Sequence, residues 1–133
     1  MTADEARIEA VRRWMEMADD ALEVARRETT AGPAAAVNRA YYACFYAASA
    51  VLLFEGHKFV KHTGVRSGVH KHLVKTGRVP QEIGKKYNLL MKARVEADYQ
   101  AIVRCTAEEA ADAVAAAESI VTELKRLLLS GIL

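Results

Sequence analysis

Proline and glycine are scarce in this chain, 2 and 7 residues of 133. So few breakers exclude a collagen-like or linker-rich protein and leave room for long helices. Only two cysteines occur, Cys44 and Cys105, far apart and in no CxxC pair. That excludes a disulfide-stapled scaffold and fits free thiols in a reducing compartment. A membrane span of roughly 20 apolar residues is also missing. The longest greasy stretch, Ala40 to Phe54, is interrupted by Tyr41, Tyr42, Tyr46 and Ser49, so it reads as a buried helix. The residues from Met1 to Arg13 are charged and helical in pattern, unlike a signal peptide. The expectation is a soluble, cytoplasmic protein that does not touch a membrane.

Acidic residues are absent from one whole segment. Between Glu55 and Glu82 there is none, while Lys58, Lys61, Arg66, Lys71, Lys75 and Arg78 supply six positive charges. With a net charge of +2 for the chain, the remainder is net −4. All four histidines, His57, His62, His70 and His72, lie in the same segment. Such a basic surface can hold a phosphate backbone through salt-sensitive contacts, steer an acidic partner protein, or simply be solvated. Phe59 is its only aromatic residue, so base stacking has little to work with. His70 and His72 are two apart and point away from each other on a helix, and no carboxylate completes a ligand set. No metal and no cofactor are expected.

What is present is helix-forming: 52% hydrophobic and 27% charged residues, dominated by Ala, Leu, Glu, Lys and Arg. At 133 residues the chain makes one domain, 1–133, large enough for a core without staples. Thr2 and Glu5 form a capping box, followed by Ile8, Val11, Met15, Ala18, Leu22 and Ala25 at alternating spacings of three and four. This predicts a first helix ending near Thr30. Pro33 suits the first turn of a second helix, about Ala34 to Phe54, apolar around most of its circumference and therefore central. Gly64 and Gly68 weaken helix, so a loop and a short helix over about Thr63 to Lys75 follow. Pro80 opens a further helix, with Ile83, Tyr87, Leu90, Met91, Arg94 and Ala97 along one face. Thr106 and Glu109 start the last, which Ser130 and Gly131 are expected to end. The fold class is all-α: an up-and-down bundle of four long helices plus one short one.

The run Asn38-Arg39-Ala40-Tyr41-Tyr42-Ala43-Cys44-Phe45-Tyr46-Ala47-Ala48 resembles the second-helix signature of HEPN domains. Lys75-Thr76-Gly77 before a Pro-led helix, and then Arg94-Val95-Glu96-Ala97-Asp98-Tyr99, continue the likeness in order and spacing over nearly the whole chain. The resemblance is to short stand-alone bacterial and archaeal HEPN proteins. It implies a helical bundle, often a homodimer, paired with a minimal nucleotidyltransferase in a toxin–antitoxin-like system. It also implies, in many members, a metal-independent ribonuclease using an Arg and a His four to six residues apart on a late helix. Here Arg94 matches that Arg, but Tyr99, Gln100 and Ala101 stand where the His would be.

Arg94 and Asp98, at i and i+4, share a helix face. Asn38 and Tyr42, one turn apart with Arg39 beside them, can face that pair from the second helix. Together with Tyr99 they form a candidate nucleotide- or RNA-binding cleft; the other reading of the cluster is a hydrogen-bond network that sets helix register. Arg66 and His72 satisfy the family's Arg-to-His separation, though before the late helix, and are the candidate catalytic pair. The leading expectation is a non-catalytic HEPN protein acting as a binding subunit. A ribonuclease with a displaced Arg/His site is the alternative.

Overall fold

The computed structural model describes residues 1–59, 61–99 and 104–132; the side chains of Tyr99 and Ile132 lie outside the described part. The described residues form five α-helices: α1 (Ala3–Glu28), α2 (Pro33–Phe54), α3 (His62–Gly68), α4 (Gln81–Tyr99) and α5 (Ala107–Ile132). No strand occurs among the described residues. The all-α bundle read from the sequence is the observed architecture.

Local chemistry sets the helix starts. Thr2 and Glu5 close the expected capping box, the Glu5 amide donating to Thr2 Oγ1 at 3.1 Å. Thr106 and Glu109 repeat it, with the Glu109 amide donating to Thr106 Oγ1 at 3.1 Å. Each satisfies amides that the first helical turn leaves without partners. Gly56 (φ +88°) and Gly77 (φ +76°) end α2 and the segment after α3 in the left-handed region that other residues enter at a cost.

Helix α2 is the centre of the molecule. It packs against α1, α3, α4 and α5, and eleven of its residues are buried, among them Tyr41, Cys44, Val51 and Leu52. Burial in this apolar setting holds the Cys44 thiol protonated. Around α2 lie Val11, Leu22 and Ala25 of α1, Ile83, Tyr87 and Leu90 of α4, and Ile120, Val121 and Leu124 of α5. Trp14, Phe45 and Tyr46 pack edge-on and tilted at one side, with centroids 5.7 to 6.4 Å apart.

The short helix expected over about Thr63 to Lys75 is present: α3 begins at His62 and runs directly into a π-helical stretch, Val69–Val74. Gly64 and Gly68 make room for Phe59; a methyl at Gly68 would stand 2.9 Å from Phe59 Cε2 and from Leu52 Cδ1. Ser130 and Gly131 do not end α5, which continues to Ile132. Gly131 lies against Phe54, where a Cβ would come within 2.6 Å of its ring. Arg78, expected on the basic surface, is exposed and donates to Glu55 Oε1 at 2.6 Å.

Close approach at Gly68 sets a prediction. Gly68→Ala gains about 1 kcal/mol of helix propensity but overpacks a site bordered by fully buried Leu52, at a cost of about 1–3 kcal/mol. Thermal unfolding should show a net loss of stability, whereas exposed Ser67→Ala should leave the melting temperature within a degree or so.

Candidate functional site

Two turns of α2 and the last turns of α4 face each other and build a bonded polar chain. Arg39 donates through Nε and Nη2 to Asn38 Oδ1, at 3.1 and 3.0 Å. Asn38 Nδ2 donates to Asp98 Oδ1 at 3.3 Å. Arg94 Nη1 donates to Asp98 Oδ2 at 3.4 Å. Arg94 thus meets the carboxylate directly and Arg39 reaches it only through the Asn38 amide, and the chain of four carries a net positive charge. Arg94 is the more withdrawn member, its side chain 22% exposed against 43% for Asp98. Its Nε is buried with no hydrogen-bond partner among the described residues.

Aromatic rings fix both cations. Arg39 lies over the Tyr42 ring at 4.8 Å, and Arg94 lies 5.2 Å from the Tyr41 centroid and 5.9 Å from that of Tyr42. Such contacts hold a guanidinium in place without consuming its N–H donors. Beside this cluster an open groove of about 660 Å³ is lined by Val24, Glu28, Ala34, Ala35, Asn38, Arg39, Ala97 and Asp98. Tyr99, expected in the same cleft, lies outside the described residues as far as its side chain is concerned.

The structure adds one residue that spacing alone did not bring here: His62, the first residue of α3. Its Nδ1 is 2.7 Å from Tyr41 Oη. Its ring stacks on Phe45 at 4.2 Å and meets Tyr42 edge-on at 5.5 Å. With Nδ1 bonded to Tyr41, Nε2 is the nitrogen left for a ligand. Burial, and secondarily the positive charge of Arg94, push the His62 pKa below its usual 6.5. Burial pushes the Tyr41 phenol up to about 12, with Tyr87 and Arg94 opposing the rise. Tyr87 is fully buried, its hydroxyl without a hydrogen-bond partner among the described residues. Nothing in the local spacing places His62 against α2; α3 starts there, one residue before the expected Thr63.

Within the single chain the other candidate residues, Arg66 and His72, make separate contacts. His72 stacks on His57 at 3.8 Å, and His70 Nε2 lies 2.9 Å from Asn88 Oδ1. No hydrogen bond joins Arg66 to His72. Of the basic residues, Lys58, Lys61, Arg66, Lys71 and Lys75 are exposed. Among the described residues no group of three or more His, Cys, Asp or Glu side chains is arranged to hold a metal ion. No helix among them is long and apolar enough to cross a membrane. A second groove, about 330 Å³ between α1 and α5, is floored by Ile8, Val11, Met15, Leu128 and Leu129. Its charges pair within the chain, Lys125 with Asp19 and Arg12 with Glu9, so it offers no converging polar groups.

Comparison with known proteins points the same way. The family model described as the HEPN domain matches residues 11–127. A UPF0332 protein of Thermotoga maritima is 38% identical over 117 residues, covering 88% of this chain and 86% of the relative. Two proteins of Methanocaldococcus jannaschii are also similar. "Putative toxin MJ0142" is 32% identical over 71% of this chain and 65% of its own length. "Putative toxin MJ0605" is 36% identical over 70% and 69%.

The shifted histidine gives a testable consequence. The folded protein takes up a proton at His62 less readily than the unfolded chain, whose value is near 6.5. The stability this residue contributes is therefore whole above pH 6.5 and is lost as pH falls towards the folded-state value. In an NMR titration the His62 ring should titrate below 6.5, and Arg94→Ala should move its midpoint upward. A midpoint at or above 6.5 would contradict the placement.

Proposed function

The chain belongs to the HEPN domain family, and from that premise we propose that it is the nucleotide- or RNA-binding subunit of a toxin–antitoxin-like pair. Its cleft between α2 and α4 holds phosphate. One observation carries this reading: the chain Arg39–Asn38–Asp98–Arg94 sets two guanidiniums beside a single carboxylate, and Arg39, bonded to the Asn38 amide oxygen and not to the carboxylate, stands at the edge of an open groove. Planar guanidiniums held by aromatic faces are suited to bidentate phosphate contacts. The relatives named as toxins support the setting. In that setting the working unit is a homodimer beside a minimal nucleotidyltransferase, as the family likeness implies.

A second reading has its own observation. His62 reaches the same cluster with Nε2 uncommitted and its charge suppressed, so an imidazole near Arg94 is supplied by α3 instead of by α4. A neutral imidazole can exchange a proton with a ribose hydroxyl while a guanidinium stabilises the developing phosphorane charge. On this reading the protein is a metal-independent ribonuclease with a displaced histidine.

Equilibrium binding of 5′-AMP and a labelled dinucleotide tests the first reading. Arg39→Ala and Arg94→Ala should each weaken binding about tenfold or more, the equivalent of ~1.5–3 kcal/mol for a charged hydrogen bond. Unchanged affinity in both would remove the cleft from consideration. Co-expression with a nucleotidyltransferase should yield a complex, and failure to associate at micromolar concentration would contradict the pairing. Incubation with single-stranded RNA in EDTA separates the two readings: cleavage lost in His62→Ala and Arg94→Ala, but kept in His72→Ala, makes the protein an enzyme, and intact RNA leaves it a binding subunit.

A further inference from the structure

The basic segment is the feature that the cleft does not absorb. From Lys61 to Thr76, the exposed residues are Lys61, Thr63, Arg66, Ser67, Lys71, Lys75, Thr76 and no acid. Their inner counterparts, Val65, Val69 and Leu73, are buried against the bundle, so α3 and its π-helical continuation form a docked rod with one outward face. None of its four cations enters a salt bridge among the described residues.

What covers such a face is decided by what it lacks. Protein–protein interfaces gather energy from aromatic and aliphatic anchors at their centre. No large hydrophobic side chain is exposed between Lys61 and Thr76; among the described residues the nearest, Phe59, stands before the rod and lies against Gly64 and Gly68. Ammonium, guanidinium and hydroxyl donors without acceptor carboxylates match a phosphate backbone instead. Position adds a second argument. The rod begins at His62, which touches Tyr41 and Tyr42, the rings that carry Arg94 and Arg39. Cleft and rod therefore adjoin. From His62 to Val74 the rod is close to 20 Å long at ~1.5 Å per residue, about the span of six nucleotides at ~3.4 Å each.

We propose that the outer face of α3 and the π-helical segment is a track for a nucleic-acid strand, continuous with the α2–α4 cleft. The ligand is then a strand of about six or more nucleotides and not a free nucleotide. This rests on the phosphate-binding reading of the cleft. Arg66, Lys71 and Lys75 bind successive phosphates, while Arg39 and Arg94 hold the one at the end.

Fluorescence anisotropy with labelled oligouridylates of 2, 4, 8 and 12 residues, at several salt concentrations, is the test. Affinity should rise at least tenfold from the dimer to the octamer and then level off. The Arg66→Gln, Lys71→Gln, Lys75→Gln triple variant should lose that gain and flatten the salt dependence by about two in log–log slope, at ~0.7 per phosphate for single strands. A charge-matched triple on α1, Arg12→Gln, Arg13→Gln, Arg27→Gln, should behave as wild type. Circular dichroism of both triples guards against loss of fold. Equal affinity for dimer and dodecamer, with the dimer still dependent on Arg94, would overturn the track and leave the cleft standing. Length-dependent binding insensitive to Arg39→Ala and Arg94→Ala would keep the track and overturn the cleft. No binding of any oligomer would overturn both. If the triple variant loses only its affinity for polyglutamate, the face belongs to an acidic protein and the proposal fails.

Discussion

A helix that is apolar around most of its circumference has to be surrounded, and α2 imposes that requirement on everything else. Its buried residues include Ala40, Ala43, Ala47 and Ala48 at 0% exposure, so neighbours approach closely and their side chains fill the gaps. Four elements pack on it, and each is held by the stripe that its own spacing supplies. The single polar edge of α2, Asn38 and Arg39 with Tyr42, is where this enclosure is left open. The site lies there because closing α2 with apolar contacts everywhere else leaves one place for converging charges.

Stability alone gives little reason for what collects at that edge. A partly exposed i,i+4 pair such as Arg94–Asp98 is worth only a few tenths of a kcal/mol, and cation–π contacts with the tyrosines add about 0.5–1 kcal/mol each. Against this stands the buried Arg94 Nε without a partner, a loss of about 1–3 kcal/mol. The buried Tyr87 hydroxyl is in the same position. The two orphaned groups outweigh these contacts, so the arrangement does not favour folding. Arginines held by rings, with donors uncommitted, are costly to assemble and useful to an anion. The Tyr41–His62 bond extends the same logic by fixing an imidazole beside them.

Much of this was legible in the amino-acid order because it depends on local rules. The two capping boxes, the Pro33 start, the enclosure of α2 and the shared face of Arg94 and Asp98 all follow from spacings of a few residues. The meeting of Asn38 with Asp98, sixty positions apart, was reachable from the two polar edges and the family likeness. What escaped depends on contacts across elements. Gly64 and Gly68 read only as weak points of the short helix because Phe59 was not yet known to lie on them, and Gly131 read as a stop because Phe54 was out of view. Glu55 stands just outside the acid-free segment, so its pairing with Arg78 was hidden by the boundary drawn there. His62 was one of four histidines in sequence; only the docking of α3 on Tyr41 and Phe45 distinguishes it. The π-helical widening at Val69–Val74 has no signature in composition.

The most direct test of the central claim, that the open edge of α2 is where the protein meets phosphate, is an NMR titration with hexauridylate that follows arginine Nε–Hε and histidine ring signals. The account predicts that the largest shifts fall on Arg39, Arg94 and His62, with smaller ones along α3. Shifts confined to the α1–α5 groove, or none at saturating oligomer, would contradict it.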